Sequence, residues 1–259
     1  GVQVGRQDAV IIVAAADLLP VVKQVRPTST LEHVFVVHYA DLLPETPSIE
    51  LPAELLAASQ APRPVPTGCE DFEAVMRTDQ RPTPVDLSLD DVALMTYTSG
   101  TTGLPKGAML SYGNARFKGE ATAQWLGLGP QDMVLSAAPL YHIAGMLLSV
   151  VAPVQAGATQ VLLHRFDPLA VLQSIDRYQI THWWSIAPMN VACMQVPDAG
   201  HYDLKSLRRN PVTSFGITYT EPLAQQWQAF VQGPCISCEA AYGLSETHTM
   251  DTGMPFDAI

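Results

Sequence analysis

Positive charge is scarce in this 259-residue chain. Lys and Arg total 14 against 25 Asp and Glu, a formal net charge of −11. A nucleic-acid partner needs a basic face to displace counterions, so the balance argues against that class. Long apolar runs are also missing. A membrane helix needs about 18 or more consecutive apolar residues, and the longest run here, residues 144–154, is broken by Ser149 and Pro153. The start of the chain carries no charged-then-apolar leader with a cleavage site. The expectation is a soluble, cytoplasmic chain without a transmembrane segment. Cysteines number only four. Cys235 and Cys238 form a CxxC pair, but no second pair and no histidines stand at zinc-ligand spacing. The pair lies in an apolar, strand-like run rather than at a helix start, so it reads as plain reduced thiols.

What the chain has is core. Its hydrophobic fraction is 47% against 15% charged, enough apolar surface to outweigh ordering entropy. Short apolar runs alternate with amphipathic stretches. Residues 10–14 read as a buried strand, 18–25 as a helix after Asp17, and 34–37 as a second strand. A proline-rich connection follows near residues 44–68, with a short helix at 54–59. Residues 92–97 are a strand candidate. Phe117, Ala121, Trp125 and Leu128 mark one helical face, and Ile143, Met146, Leu147, Val150, Val151 and Val154 another, ended by Gly157. Asp167 is a good N-cap with Pro168 at the first helical position. Further strands are expected at 158–163, 181–186, 212–215 and 235–240. Strand–helix alternation of this kind implies an α/β fold of layered, parallel-rich sheets with flanking helices.

The most informative stretch is residues 97–107: Tyr97, Thr98, Ser99, Gly100, Thr101, Thr102, Gly103, Leu104, Pro105, Lys106 and Gly107. Glycines let backbone N–H groups approach an anion, hydroxyls add donors, and lysine adds a mobile charge. The run follows a strand, where α/β proteins place ligand loops. It is not a Walker A loop, because Lys106 leads into Gly107 and a return strand at 108–110 rather than into a helix. The helix starts later, near Ser111 or Asn114. A surface hairpin rich in turn residues is the bland alternative, but such hairpins rarely gather these hydroxyls with a lysine.

Residues 96–111 closely resemble the phosphate-loop signature of the AMP-forming adenylating enzymes, the superfamily of acyl-CoA synthetases, peptide-synthetase adenylation domains and luciferases. Two more segments fit in the expected order. Residues 138–145, with His142, resemble the family's acyl-site segment; a lone histidine would otherwise read as a satisfied core or surface residue. Residues 241–247 resemble its second nucleotide segment; alone they would read as a tight turn after a buried strand. A weaker likeness covers residues 215–220, where many relatives have a small-residue turn and this chain has the bulkier Ile217 and Tyr219.

The resemblance implies ATP-dependent activation of a carboxylic acid as an acyl-adenylate, with pyrophosphate release, followed by thioester formation with coenzyme A. A fatty or other apolar acid is the leading substrate class. It implies that Thr98, Ser99, Gly100, Thr101, Thr102, Gly103 and Lys106 hold the β- and γ-phosphates. It places Gly216 and Thr218 by the nucleotide, Tyr242 and Gly243 at adenine, and Thr247 at the α-phosphate. Glu246 would hold Mg2+, and His142 would lie between the acid pocket and the reacting phosphate. Trp183, Trp184 and Ile186 suit a greasy acyl pocket or a bland core strand equally. The family's ribose-binding aspartate, hinge and small C-terminal domain with its catalytic lysine have no counterpart within residues 1–259. The chain is therefore expected to be a partial AMP-binding domain, poorly active or inactive alone. A module loading a carrier protein and a nucleotide-binding protein with degenerate chemistry are the alternatives.

Overall fold

The computed structural model describes residues 9–41, 43–98, 103–239 and 241–256, in two units, residues 1–86 and 87–259. In the first unit, β1 (Ile11–Ala15), α1 (Leu19–Val25), β2 (His33–Val37), α2 (Ala53–Gln60), β3 (Glu70–Asp71) and α3 (Phe72–Met76) follow one another. The strands form a parallel sheet in the order β1-β2-β3. Ala14, Leu19, Val22, Val34 and Val36 make its core. The expectation of a buried first strand is only half met. β1 is an edge strand, and Ile11 and Val13 on one of its faces are 57% and 52% exposed.

The second unit opens with an antiparallel hairpin, β4 (Val92–Thr98) and β5 (Lys106–Ser111), in which Thr98 pairs with Lys106. The return strand thus starts at Lys106, two residues earlier than expected. Helix α4 (Tyr112–Leu126) follows at once. Its N-cap Ser111 accepts from the Asn114 N–H while the Asn114 side chain accepts from the Ser111 N–H, a reciprocal cap that satisfies two otherwise unpaired donors. Gly127, at φ 65°, ends the helix in the left-handed conformation.

Residues 133–239 build one parallel sheet with its helices. Its elements are β6 (Met133–Ser136), α5 (Ile143–Met146), a π-helical turn (Leu147–Val151), α6 (Ala152–Ala156), β7 (Thr159–Leu162), α7 (Pro168–Tyr178), β8 (His182–Trp183), β9 (Ser185–Ile186), α8 (Ala187–Met194), β10 (Arg209–Thr213), α9 (Glu221–Val231) and β11 (Ile236–Glu239). The strand order is β11-β10-β8-β6-β7, with β9 also beside β10. On one face Val171, Leu172 and Ile175 of α7 and Trp227 and Val231 of α9 bury Leu135, Trp183 and Cys235. On the other face Leu126 of α4 and Ala144 and Leu148 meet Cys238 and Phe256.

The expected strand at 181–186 is broken in two, and Pro211 supplies the reason. β10 pairs with β8 at Arg209–His182 and with β9 at Val212–Ser185, and Pro211 falls between. Proline has no N–H for the ladder. The buried Asn210 side chain substitutes: its Nδ2 donates to the Trp183 carbonyl at 2.6 Å and to Ser185 Oγ at 3.0 Å. Asn190 Nδ2 in turn donates to Asn210 Oδ1 at 2.8 Å, and Ser185 donates to Asn190, so the gap is filled without an orphaned polar group.

The two tryptophans face opposite sides of the sheet. Trp183 is fully buried, with its ring 5.8 Å from that of Trp227, and belongs to the core. Trp184 faces the opposite side and donates to Thr213 Oγ1 at 3.1 Å. Cys235 and Cys238 likewise lie on opposite faces of the sheet and are free thiols. Among the described residues, no helix is long and apolar enough to cross a membrane.

Candidate functional site

In a parallel sheet all strands end on the same side, and the loops there are free to carry ligand groups. Three of the sequence-predicted segments follow strands at that edge: residues 138–145 after β6, 215–220 after β10, and 241–247 after β11. The β4–β5 hairpin packs against the 3-10 turn Ser245–Thr247. The hairpin strands thereby come to the turn that carries Glu246 and Thr247. Thr98 is half-buried and Lys106 exposed at the hairpin mouth, and Gly103 has φ 151°. Ser99, Gly100, Thr101 and Thr102 lie outside the described residues.

His142 is the N-cap of α5, and its Nδ1 accepts the Ala144 N–H at 3.2 Å. With that lone pair engaged, the neutral ring carries its proton on Nε2, the nitrogen left as a donor. The ring is exposed. Gly145 permits this geometry: a Cβ there would lie 2.3 Å from the Pro139 carbonyl oxygen.

The 214–219 turn resolves what its bulky residues do. Gly216 keeps a left-handed φ of 80°, with Pro188 of α8 3.4 Å from where a Cβ would be. Thr218 is exposed, as are Phe215 and Ile217. Tyr219 turns back onto the sheet, where its hydroxyl contacts Ser237 Oγ. Burial pushes the phenol up to about 12. The Glu239 carboxylate fixes the turn by accepting from the Ser214 N–H and hydroxyl at 2.9 and 2.5 Å.

The segment after β11 is the most constrained. β12 (Ala241–Tyr242) pairs antiparallel with β13 (Thr252–Gly253), and the Tyr242 ring is 63% exposed. Between them His248, Thr249 and Met250 all adopt left-handed backbone, at φ 65°, 55° and 52°. Each such non-glycine residue costs roughly 1–2 kcal/mol. Gly243 lets the turn close, since a Cβ would lie 2.4 Å from the Met250 nitrogen. His248 is fully buried, neither ring nitrogen has a hydrogen-bond partner among the described residues, and burial, then Lys118, lowers its pKa. The Thr247 hydroxyl donates to Asp251 Oδ2 at 2.5 Å, and Lys118 holds the same carboxylate at 2.7 Å. Those contacts keep Asp251 below the usual carboxylate range, Lys118 contributing most. Lys118 and Asp251 went unmarked in the sequence; they stand 133 residues apart and carry no local signal. Trp125 adds a second tie from α4, donating to the Met254 carbonyl at 2.8 Å.

Glu246 is exposed, with no hydrogen-bond partner seen among the described residues. No group of three His, Cys, Asp or Glu there could hold a metal ion by itself. A lone free carboxylate fits Mg2+, which takes one or two protein oxygens and completes its shell with phosphate and water.

The chain matches the family model of the AMP-binding enzymes over residues 4–257. It is 33% identical over 220 residues to a feruloyl-CoA synthase of Amycolatopsis sp, covering 83% of this chain and 42% of that protein. It is 25% identical over 247 residues to a long-chain-fatty-acid–CoA ligase of Bacillus subtilis, covering 93% and 43%. The chain thus spans about two fifths of the length of these relatives. Its fold is shared with the anthranilate CoA ligase AuaEII solved with anthranoyl-AMP (TM-score 0.73, 21% identity, 95% of this chain and 43% of that one). It is shared too with a long-chain-fatty-acid CoA ligase, FadD1, from Archaeoglobus fulgidus (TM-score 0.73, 22% identity, 98% and 47%). Sequence and fold agree, and the chain belongs to the AMP-binding enzyme family.

Proposed function

We propose that the gene product containing this chain activates a carboxylic acid with ATP to an acyl-adenylate, releasing pyrophosphate, and then forms the coenzyme A thioester. The single observation that carries the reading is the packing of the β4–β5 hairpin, with Lys106 at its mouth, against the turn that holds Glu246 and Thr247. A carboxylate must approach a polyphosphate, and two unit charges 4 Å apart repel by ~4 kcal/mol at an effective dielectric near 20. Donors of opposite character must therefore converge. Lys106 and the loop hydroxyls and N–H groups meet the β- and γ-phosphates, and Thr247 meets the α-phosphate. Tyr242 offers an exposed ring for adenine to stack on, and Gly216 and Thr218 border it. The His142 Nε2–H donates to the oxygen on which charge develops. Mg2+ held by Glu246 would neutralise phosphate charge. No protein nucleophile is required; positioning and electrostatics suffice.

The relatives named above act on feruloyl and long-chain fatty acyl groups. The shared class is a carboxylic acid with an apolar body, and that is the class proposed here. Trp183 is excluded from the acyl pocket by its burial against Trp227. The test is acid-dependent pyrophosphate release by the full-length gene product, with fatty, arylpropenoic and amino acids. Release with one of the first two classes, and transfer to free coenzyme A, is expected. Transfer to a carrier protein alone points to the carrier-loading module instead. ATP binding without release for any acid refutes the enzymatic reading.

A further inference from the structure

Lys118 lies on α4, outside every segment assigned to the site and 131 to 133 residues in sequence from the turn it touches. Its side chain is only 14% exposed, and all three ammonium protons are used. Nζ donates to the Thr249 carbonyl at 2.8 Å, the Met250 carbonyl at 3.2 Å and Asp251 Oδ1 at 2.7 Å. Two of these acceptors are carbonyls of the left-handed turn, and the third is the carboxylate that holds the Thr247 hydroxyl. Asp251 Oδ2 also accepts the Leu244 N–H at 3.3 Å, so it closes the turn from both ends. The base of this clamp is rigid. α4 is capped at Ser111 and packs so closely on the π-helical turn that a Cβ at Gly119 would lie 3.0 Å from Val151 Cγ1.

Within itself the turn is tied by the Thr249 N–H to the Leu244 carbonyl at 2.8 Å and by the Asp251 N–H to the Tyr242 carbonyl at 2.9 Å, and Lys118 anchors it to α4. The His248 ring inside the turn is fully buried and makes no hydrogen bond among the described residues. Three consecutive left-handed non-glycine residues persist only where the surroundings over-determine them. We infer that Lys118 is a positioning residue for the nucleotide site: its ammonium, acting through Asp251 and two backbone carbonyls, holds the strained turn that presents Glu246 and Thr247 to the nucleotide. The inference rests on the nucleotide-site reading above. Lys118 touches no substrate; it sets where Thr247 and Glu246 stand. In the free protein the Thr247 proton belongs to Asp251, so nucleotide binding requires that donor to turn from the carboxylate to the phosphate while Lys118 keeps the backbone in place.

The experiment compares wild type, Lys118→Met and Lys118→Arg in the full-length gene product. It reads Mg·ATP affinity by titration calorimetry and amide hydrogen exchange across residues 87–256. Lys118→Met keeps the length of the side chain and removes the charge and the donors. It should weaken Mg·ATP binding roughly tenfold or more, the scale of a charge-assisted network. Exchange should quicken over residues 244–251 and stay near wild type in β6, β10 and β11. Lys118→Arg, with charge and several donors, should recover most of the affinity. Unchanged exchange at 244–251 in Lys118→Met overturns the inference. So does wild-type affinity despite local loosening, and so does exchange raised evenly throughout, which would make Lys118 an ordinary structural residue. A wild-type protein that binds no Mg·ATP overturns the adenylating reading itself, and the clamp's role with it.

Discussion

Asp132 is the place where a single atom change should cost most. It precedes β6, is 3% exposed, and gathers the starts of three strands. Its Oδ2 accepts the Gly129 N–H at 2.9 Å. Its Oδ1 accepts the Thr181 hydroxyl at 2.9 Å and a close contact from Arg208, just before β10. His182 Nδ1 of β8 lies 3.7 Å away. Asp132→Asn keeps the shape but turns one acceptor into a donor facing another donor. Losing one charged hydrogen bond costs roughly 1.5–3 kcal/mol. The Arg208 attraction adds at most about 1 kcal/mol, because that side chain is half exposed and screened. A total near 3 kcal/mol follows, at the low end of what breaking a buried ion pair costs, and the melting temperature should fall by about 6–12 °C. Burial alone would raise the Asp132 pKa, but the Gly129 N–H, the Thr181 hydroxyl and the nearby positive charges outweigh it and leave it lowered. A carboxyl with a depressed folded pKa stabilises above its unfolded value, near 4, and loses that contribution as pH falls through the folded one. Urea unfolding should therefore show a constant wild-type advantage from pH 8 to 5 that narrows below about pH 4. An advantage under about 1 kcal/mol at pH 7, or one undiminished between pH 5 and 3, refutes the reasoning.

Trp227→Ala should cost about 3–5 kcal/mol in the same urea assay, since the ring is fully buried against Trp183 and Phe230 and leaves a cavity. Tyr242→Ala should weaken ATP binding by about 1–3 kcal/mol, the scale of base–aromatic stacking, with little change in melting temperature because the ring is exposed; unchanged calorimetric affinity would remove Tyr242 from the site. Alkylation of the native protein at pH 8 should begin at the half-exposed Cys69. Burial raises the Cys193 thiol and pushes Cys235 and Cys238 up to about 12 and 11, so almost none of these three is thiolate. Peptide mapping that finds Cys235 modified first would contradict the packing.

Elements whose cause is local were legible in the sequence. Ser111 and Asn114 make the α4 cap by themselves, and Asp167 with Pro168 starts α7, the Asp167 side chain accepting the Ala170 N–H at 2.8 Å. The hairpin, the CxxC thiols and the breadth of the α/β pattern are of the same kind. What escaped was set at a distance. The strand at 181–186 breaks because of Pro211 and is mended by Asn210, residues that lie beyond any local window. The two adjacent tryptophans were ambiguous because a strand sends neighbours to opposite faces, and only α9 decides which is core. β6, four residues long, was too short to show a period. α9 did carry a signal, with Thr220 before Pro222 and Leu223, Trp227, Phe230 and Val231 at helical spacing, and it went unread.

The two ends of the sheet bear different loads. Asp132, Thr181, His182 and Arg208 sit where β6, β8 and β10 begin, and the first three are hydrogen-bonded within the protein. Where the strands end, the turns at 214–219 and 241–251 leave Tyr242, Thr218 and Glu246 exposed and hold three residues in costly left-handed backbone. Strain of this kind gathers at binding and switch sites, and it persists only if another part of the fold supplies the stability. The division has a measurable consequence. No residue is shared between the Asp132 network and the Lys118 clamp, so their effects should add. Asp132→Asn should lower the melting temperature and leave Mg·ATP affinity alone, Lys118→Met should do the reverse, and the double variant should show each loss within about 0.5 kcal/mol of its single-variant value. A larger coupling energy would mean that the strained turn draws its stability directly from the buried aspartate, through the body of the sheet.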